Sequence, residues 1–466
     1  MLPLLVSLLA GCAVPTPPAT PLAQPAARWH AGLPADAPTP GPTERLVQWW
    51  SQFDDPLLPT LITQAQASSP SVAQALARLQ QARANLTMAG ADRLPTATLN
   101  GAASRSANQL SAFKPVNRLS ATVDAVWELD LFGGVRYGVD AAQARADSAG
   151  LAWHEARLSL AAEVADVYVG LRTCEALAQV VADDAQSQAS TAQLTQEKVR
   201  VGFEAPANGA LAEAALAQAR DRAAAQQAQC DVAVKTLVYL TGEEEAALRA
   251  QLRQPLSTGP GRLPQPAPFG LAALPAQVLA QRPDLAAASR DLVAAAAEVG
   301  VAEARRYPSI SFNGSIGGGV LRLDGGSQEA VTWSFGPSLA LPLFDRARQR
   351  AQAEAALARY DERRAVLQQR LRAAVREVEE ALVRLDAAQR READAATAAG
   401  GFKRYFDATE ARWRLGSASV MDREEARRNA LAAQAAYLGV QRERVAAWIS
   451  LYRAVGGGWT PAEPTP

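Results

Sequence analysis

The chain has 466 residues, of which 48% are hydrophobic, and its 47 basic residues balance its 47 acidic residues. This length and composition suit a protein with two or more packed domains and exclude a chain that is disordered throughout. Because the charges balance, the chain has no overall field to attract nucleic acid, and we expect no nucleic-acid partner.

Motifs for catalysis or for cofactor binding are not apparent in the sequence. The two histidines, His30 and His154, have no Cys, Asp or Glu at metal-ligand spacing in a recognisable motif. The glycine run at 317–319 lies inside an alternating segment and opens no helix, which argues against a phosphate-binding loop. We therefore predict a protein that is not an enzyme and that uses no metal and no cofactor.

The first twelve residues, MLPLLVSLLAGC, predict export. Residues 1–11 contain an apolar run that is too short to span a bilayer as a helix but suits a signal peptide. Leu-Ala-Gly-Cys at 9–12 resembles the bacterial lipobox, which predicts lipid attachment at Cys12. No Lys or Arg precedes the apolar run, so the true start of the chain stays open. The alternatives are a signal followed by an incidental cysteine, or a buried N-terminal segment.

Residues 12–43 are rich in Pro, Ala and Thr and poor in large apolar side chains. Such a segment cannot bury a core of its own. We predict that it tethers the lipid anchor to the folded body of the protein.

The body of the chain repeats one plan at a long interval. Three matched pairs of residues are 213, 212 and 214 residues apart: Pro70 and Pro283, Phe132 and Phe344, and Gly202 and Gly416. This interval is far longer than a solenoid repeat, so we expect a duplicated half rather than an array.

We predict a first repeat at 44–242 and a second repeat at 271–456. A proline-rich linker at 243–270 joins them, and a tail follows at 457–466. Each repeat is predicted to contain a helix, two strands and a long helical hairpin. The predicted strands are about 96–108, 118–131, 309–321 and 330–342, and the predicted hairpins are about 136–240 and 346–455.

The predicted strands have one apolar and one polar face. In the second strand, alternate residues from Leu119 to Leu131 are apolar, whereas Asp124, Glu128 and Asp130 fall between them. Strands of this length match tilted strands that cross a bilayer with lipid on one face and a polar lumen on the other. We therefore predict that Asp124, Glu128 and Asp130 face a lumen. The alternative is a soluble antiparallel sheet that packs one face on a core.

Four strands are too few to close a barrel, and lipid does not tolerate an open sheet edge. The membrane interpretation therefore requires several chains to share one barrel. Predicted export, predicted lipid anchoring and the lack of an apolar stretch of eighteen or more residues favour it over the soluble sheet.

The long hairpins have the spacing of coiled coils. Apolar residues in 160–181, 216–240 and 367–388 recur alternately after three and four residues. Helices of roughly sixty residues reach about 90 Å, so they must pack along their length against one another. The alternative is an ordinary helical bundle, in which helices are shorter.

Two further cysteines lie in the first hairpin. Cys174 and Cys230 are each 28 residues from Gly202 (202 − 174 and 230 − 202). In an antiparallel hairpin that turns near Gly202 they would face each other, and an oxidising compartment permits a disulfide. A Cys174–Cys230 disulfide and two independent buried thiols both stay open.

Several segments together resemble the TolC-like outer-membrane efflux proteins. These segments are WELDLFGGVR at 127–136, LALPLFDRARQ at 339–349, Gln-Arg-Pro-Asp at 281–284, and the RVG and RLG triplets that end at Gly202 and Gly416. The lipobox favours the OprM-like, NodT-type lipoprotein branch of this family. The match runs from about Gln48 to Val455.

The resemblance implies a mainly helical fold whose hairpins form an α-barrel tunnel. The four strands of each chain would join one β-barrel of about twelve strands in a homotrimer. The implied location is the outer membrane of a Gram-negative bacterium, in contact with its lipid and extending into the periplasm.

The implied function is a passive exit duct for drugs or other small toxic compounds in a tripartite efflux system. The implied partners are a periplasmic adaptor protein and an inner-membrane pump, often of the resistance-nodulation-division type. Two other functions stay open. One is a structural coiled-coil envelope lipoprotein, and the other is the duct of a protein secretion system.

By this resemblance the turns at 200–208 and 414–422 lie at the inner end of the tunnel, where the adaptor docks and the pore closes. The docking candidates are Arg200, Gly202, Arg414 and Gly416. Several relatives have acidic residues just after the second turn, whereas this chain has Ser-Ala-Ser at 417–419 and reaches an acidic residue at Asp422. Asp422 is therefore a gate candidate, with a solvated helix face as the alternative. A gate of packed side chains or arginine pairs is equally open.

Overall fold

The computed structural model describes residues 14–18, 28–32, 46, 48–107, 115–253, 263–270, 275–323 and 326–457. A short 3-10 helix at Trp49–Gln52 comes first. The α-helices are α1 (Leu57–Ser68), α2 (Pro70–Ala91), α3 (Gly134–Arg200), α4 (Pro206–Thr241), α5 (Glu245–Leu252), α6 (Pro275–Ala280), α7 (Pro283–Ala304), α8 (Arg346–Arg414) and α9 (Val420–Ala454). The strands are β1 (Thr96–Ser106), β2 (Val116–Leu129), β3 (Ser309–Leu323) and β4 (Gly326–Ala340). The predicted fold class, mainly helical with four antiparallel strands, is confirmed.

The long helices end where glycine, proline or a capping residue changes the backbone. Gly202 and Gly416 have φ angles of 82° and 75°, which glycine adopts without steric cost. Pro206 is the first residue of α4, where its missing N–H is not needed. The Ser419 hydroxyl accepts a hydrogen bond from the Asp422 N–H at 3.1 Å, and the Asp422 carboxylate accepts one from the Ser419 N–H at 2.9 Å. These residues end α3 and α8 and allow the chain to reverse into α4 and α9.

The four strands form one antiparallel sheet in the order β1-β2-β3-β4. Across it, Thr98 pairs with Asp124, Asp124 with Ser315, and Ser315 with Ser334. The register runs continuously along each pair of strands, so alternate residues keep the same face. Within the chain, β1 and β4 each pair on one side only.

The strands differ from their predicted spans at the ends. β2 starts at Val116 rather than 118 and ends at Leu129 rather than 131. It ends early because the Asp130 carboxylate accepts hydrogen bonds from the N–H groups of Val135 at 3.0 Å and Arg136 at 2.7 Å, in the first turn of α3. Asp130 therefore starts the helix instead of extending the strand. The predicted linker also differs, because it contains α5.

One compact unit comprises the described parts of 1–23, 76–152 and 286–370. It holds the sheet, and its apolar core packs alanines of α7 and α8 around Leu292, Tyr360 and Leu367. Small side chains at these positions let the helices approach closely.

A second compact unit comprises the described parts of 24–75, 153–285 and 371–466. Its core is rich in aromatic residues. Trp49 stacks on Tyr452 with ring centroids 4.7 Å apart and meets Phe269 edge-on at 5.5 Å. Seam residues of the long helices are fully buried here, among them Val164, Leu171, Leu237, Val378 and Leu385.

Part of the predicted tether packs onto the first unit. Val14 is buried, and its carbonyl oxygen accepts a hydrogen bond from the Tyr137 hydroxyl at 2.8 Å. The Tyr360 hydroxyl donates to the Pro18 carbonyl oxygen at 2.7 Å. A Cβ at Gly300 would lie 2.7 Å from the Tyr137 ring, so only glycine leaves room for this arrangement. The tether is therefore held in place near its start.

A second part of the tether packs onto the second unit. Trp29 is buried in its core, and the N–H groups of His30 and Ala31 donate to the Glu379 carboxylate at 2.7 and 2.8 Å. The tether thus has two attachment points on the folded protein.

None of the helices in the described ranges is long and apolar enough to cross a membrane. In the same ranges, no group of three or more His, Cys, Asp or Glu side chains is placed to hold a metal ion. His154 lies beside Trp153, with ring centroids 4.8 Å apart.

Candidate functional site

One face of the sheet is apolar and exposed. The register aligns Leu99, Val123, Ile316 and Trp333 in one row across the four strands. Trp333 is 78% exposed, and Val331, on the same face of β4, is 81% exposed. A contiguous exposed apolar surface of this kind marks contact with lipid or with another protein.

Aromatic side chains gather at one end of this apolar face. The Trp127 and Phe312 rings stack with centroids 6.4 Å apart, and Phe312 stacks on Phe335 at 5.9 Å. The Trp127 indole N–H donates to the Arg93 carbonyl oxygen at 3.1 Å. Aromatic rings with an exposed apolar body and a satisfied polar atom are typical of a membrane–water interface.

The opposite face of the sheet is polar. Asp124 accepts hydrogen bonds from the Asn100 amide at 2.7 Å and from the Thr122 hydroxyl at 3.2 Å. Glu128 lies four residues further along β2 and shares this face. Asp130, the third residue that we predict to face a lumen, lies beyond the end of β2 and holds the start of α3. The structure therefore brings Asp124 and Glu128 to one surface and places Asp130 outside it.

Glycine lets β2 and β3 pair closely in the middle of the sheet. A Cβ at Gly317 would lie 2.5 Å from the Ala121 carbonyl oxygen, and one at Gly319 would lie 2.9 Å from the Leu119 carbonyl oxygen. Larger residues here would push the two strands apart. The glycine run thus serves strand pairing.

Apolar side chains are exposed at both helical turns. Phe203, in the first turn, and Leu415, in the second, are each 84% exposed. Arg200 and Arg414 each pair with a glutamate of their own helix, at 2.7 and 3.1 Å. Because the arginines are paired locally, the apolar residues are the more distinctive feature of the turns, and such residues suit a protein partner.

Asp422 caps α9. Its carboxylate accepts the Ser419 hydroxyl at 2.7 Å as well as the Ser419 N–H. These hydrogen bonds, the hydroxyl first, lower the pKa of Asp422, so this exposed carboxylate is ionised at neutral pH. Its contacts are those of a helix cap.

A cluster of buried and partly buried charges joins the two hairpins. Arg423 and Arg427 of α9 are buried, and Glu424 pairs with both, at 2.9 and 3.1 Å. Arg427 also faces Asp184 of α3 at 3.8 Å, and Arg423 contacts Glu410 of α8. We call these five residues the arginine cluster.

Uncharged side chains complete the surroundings of the arginine cluster. The Ser187 hydroxyl accepts hydrogen bonds from Arg427 at 2.7 Å and from Arg423 at 3.3 Å. Arg423 also donates to the Thr191 hydroxyl, and its guanidinium lies 4.4 Å from the centre of the Trp413 ring. Charge-assisted hydrogen bonds therefore link α3, α8 and α9.

The surroundings of these charges fix their protonation. Burial acts to raise the pKa of Glu410, but the hydrogen bond and charge of Arg423 and the charge of Arg414 outweigh it and hold this pKa below its usual range. Burial lowers the pKa of the Arg427 guanidinium, against the attraction of Glu424. A guanidinium nevertheless stays protonated, so the cluster is made of paired charges at neutral pH.

A disulfide joins α3 to α4. Cys174 and Cys230 are bonded, with their Cα atoms 5.5 Å apart. Cys230 is buried in the core of the second unit, and the partly buried Cys174 packs against that core. The predicted signal peptide and the lipid-attachment candidate Cys12 lie outside the described residues.

Neither the arginine cluster nor the exposure of Phe203 and Leu415 is apparent in the amino-acid sequence. Arg423 and Arg427 belong to MDREEARR at 421–428, a pattern typical of a charged helix surface. Their partner Asp184 lies in the other half of the chain, so no local spacing links it to them. The one available signal is the four-residue spacing of the two arginines, which places them on one helix face.

Comparison with known proteins agrees with this architecture. The family model for outer membrane efflux proteins matches residues 61–243 and 274–457, two segments whose starts are 213 residues apart (274 − 61). The chain is similar to the pyoverdine export outer membrane protein OpmQ of Pseudomonas putida, with 30% identity over 100% of this chain and 98% of that protein. It is 29% identical to the outer membrane protein OprJ of Pseudomonas aeruginosa, over 98% and 95% of the two chains.

Among solved structures, the chain is similar to the outer-membrane channel OprN, with a TM-score of 0.79 and 28% identity over 94% of this chain and 99% of that one. A two-faced sheet joined to long helical hairpins is the architecture of an outer-membrane channel. The chain belongs to the outer membrane efflux protein family, as its sequence motifs predict. Its role is that of an exit duct for efflux at the outer membrane.

Proposed function

We propose that three copies of this chain form a passive duct, without catalysis of its own, as the outer-membrane part of a tripartite efflux system. The two-faced open sheet carries this proposal. Lipid does not tolerate unpaired strand edges, so β4 of one copy must pair with β1 of the next. Asp124 and Glu128 then line a water-filled lumen, while Trp333 and its apolar neighbours face lipid.

Small compounds are the cargo that the relatives support. Their names refer to pyoverdine export, toluene efflux and antibiotic efflux. In the proposed system the energy comes from an inner-membrane pump of the resistance-nodulation-division type, and a periplasmic adaptor protein connects pump and duct.

Reconstitution into a planar bilayer tests the duct. The full-length protein should form trimers with stepwise ion conductance, and Asp124→Asn with Glu128→Gln should reduce cation selectivity. Glu329→Gln is the matched control, because Glu329 shares the apolar face of the sheet with Leu119 and Val320. A monomer without conductance would refute the duct, and unchanged selectivity in the double variant would refute the lumen position of these carboxylates.

We further propose that the two helical turns dock the adaptor, with Phe203 and Leu415 as contacts beside Arg200, Gly202, Arg414 and Gly416. A photo-crosslinking amino acid at position 203 or 415 should capture the adaptor in cells. The same amino acid at Tyr239, which is 81% exposed on α4 but distant in sequence from the turn, is the control. Capture at 239 alone would contradict the proposal.

Closure of the duct, in this proposal, depends on the arginine cluster rather than on Asp422. Arg423→Gln should therefore raise the conductance of the resting duct, whereas Asp422→Asn should change it little. The reverse result would assign the gate to Asp422.

We also propose that Cys12 carries the lipid and anchors the N-terminus in the outer membrane. Intact-mass measurement of the purified protein should show an N-terminal cysteine with acyl chains. Cys12→Ser should remove that added mass, and a mature chain that begins elsewhere would reject the anchor.

A further inference from the structure

Three arginines lie at the hairpin end of the sheet, where β1 meets β2 and where β3 approaches β4. The register places Arg105 of β1 opposite Asn117 of β2, and Asn117 opposite Arg322 of β3. Arg118 lies one residue further along β2, opposite Ser104 and Leu321. All three arginines are exposed.

Alternation assigns these arginines to different faces. Arg105 is two residues from Ala103, and Arg322 is two residues from Val320, so both share the apolar face of the sheet with Leu119. Arg118 projects from the opposite, polar face, which also carries Asp124. Arg105 and Arg322 thus form a cationic pair at the edge of an apolar surface, with Asn117 between them.

The distance from this pair to the aromatic end of the face matches a bilayer. Arg322 follows Phe312 by ten residues in β3, which is roughly 33 Å along a strand at about 3.3 Å per residue. A strand tilt of about 40° reduces this to roughly 25 Å along the membrane normal, the height of the apolar band in membrane barrels. With Trp127 and Phe312 at one interface, Arg105 and Arg322 reach the other interface.

The chemistry of that position favours phosphate. Adjacent strands are about 4.8 Å apart, so two strand spacings put the Arg105 and Arg322 backbones about 10 Å apart. Two guanidinium groups at that separation can each donate two hydrogen bonds to the oxygens of a phosphate group, and their aliphatic stems can lie along the apolar surface. Among the described residues, Arg105 and Arg322 form no ion pair with a carboxylate. Glu329 shares their face of the sheet but lies opposite Val320, one row away from Arg322.

We propose that Arg105, Asn117 and Arg322 form a binding site for the phosphate groups of a phosphorylated glycolipid in the outer leaflet of the membrane. The inference rests on the proposed function, because the sheet must cross the membrane with its hairpin ends outward. The site would fix the depth and rotation of the barrel against its lipid, independently of the N-terminal anchor.

Native mass spectrometry of the full-length protein in detergent, titrated with bisphosphorylated lipid A, tests the site. Arg105→Gln with Arg322→Gln should weaken lipid A binding tenfold or more. Arg118→Gln makes the same type of charge change at the same end of the sheet but on the polar face, and it should change binding less than twofold. Dephosphorylated lipid A should bind the unaltered protein as weakly as lipid A binds the double variant.

Three results would overturn the proposal. They are an equal loss in Arg118→Gln, binding by the double variant within twofold of the unaltered protein, and equal binding of dephosphorylated lipid A. Bilayer conductance distinguishes failure of the lipid-site proposal from failure of the duct proposal. The double variant should conduct like the unaltered protein if only the lipid site is lost, whereas absence of conductance in the unaltered protein would count against the duct and leave the lipid titration interpretable.

Discussion

The Arg427 Nε and the Asp184 Oδ1 face each other 3.8 Å apart, although they belong to different halves of the duplicated chain. Both atoms are buried, and neither has a hydrogen-bond partner in the described part of the structure. Their side chains are only 3% and 2% exposed. The two hairpins therefore meet at a buried charge pair, and the other carboxylate oxygen of Asp184 pairs with Arg222 of α4 at 3.1 Å.

Removing one partner of this pair should destabilise the protein strongly. Arg427→Met leaves Asp184 with Arg222 as its cationic partner, at 3.1 Å, so the free energy of unfolding should fall by at most the cost of a buried charge that has lost all compensation, about 3–5 kcal/mol. Chemical denaturation in detergent measures the change. Arg428→Met is the matched control, because Arg428 is the exposed neighbour and should have little effect. Arg427→Met combined with Asp184→Leu should recover much of the loss, and a double variant as unstable as the single one would contradict this account.

Acid should weaken the contact between Glu410 and Arg423. The pKa of folded Glu410 is lower than its unfolded value, so its stabilising effect is fully present above the unfolded pKa of about 4.3 and is lost as the pH falls through the folded pKa. The decrease in unfolding free energy from pH 7 to about pH 3 should therefore be smaller in Glu410→Gln than in the unaltered protein. Glu425→Gln, an exposed neighbour of the cluster, should keep the full decrease, and equal curves for all three proteins would rule out this role of Glu410.

The disulfide should form in protein matured outside the cytoplasm. Mass spectrometry without reductant should find the Cys174 and Cys230 peptides linked. Because the bridge spans 56 residues of sequence, Cys174→Ser with Cys230→Ser should lower the free energy of unfolding by about 2–4 kcal/mol. Reductant should destabilise the unaltered protein but not this double variant. Alkylation of both thiols before reduction would show that the bridge is not made.

Gly300 should be required for the start of the tether to stay in place. A Cβ at this position would meet the Tyr137 ring at 2.7 Å, so Gly300→Ala should displace the segment around Val14. With Val14→Cys as a reporter, thiol labelling should become at least tenfold faster in the Gly300→Ala background. Gly138→Ala is the control, since no atom lies within 4 Å of a Cβ there. Equal labelling rates in both backgrounds would mean that Gly300 does not hold the tether.

Residues whose partners are close in sequence, or whose pattern is periodic, could be predicted from the sequence. The alternation in β2 places Asp124 and Glu128 on the polar face, and the symmetric spacing of Cys174 and Cys230 about Gly202 matches the bonded pair. The position of Asp130 could not be predicted from the sequence, because strand alternation and helix capping both suit an aspartate there. Only the backbone shows that the N–H groups of α3 bind its carboxylate.

The arginine cluster could not be predicted for a different reason. Arg427 and Asp184 lie in separate halves of the chain, and each lies in a segment whose composition is that of a solvated helix. Their burial results from the packing of three long helices, which periodicity describes one helix at a time. Phe203 and Leu415 differ in the opposite way, because they are apolar residues that are exposed. The sequence does not show whether a large apolar residue in a turn is buried in its own chain, covered by a partner or left exposed.

The covalent tie between α3 and α4 makes the two repeats unequal. The three cysteines of the chain are at 12, 174 and 230, so the second hairpin contains none and has no equivalent disulfide. Duplicated sequences are prone to pairing with the wrong copy during folding, and the N-terminal half of a chain emerges first. The disulfide of the first hairpin can form before the second hairpin has followed it out of the cytoplasm. The first hairpin then pairs with itself and not with the second copy, and the second hairpin packs against a structure that has already folded.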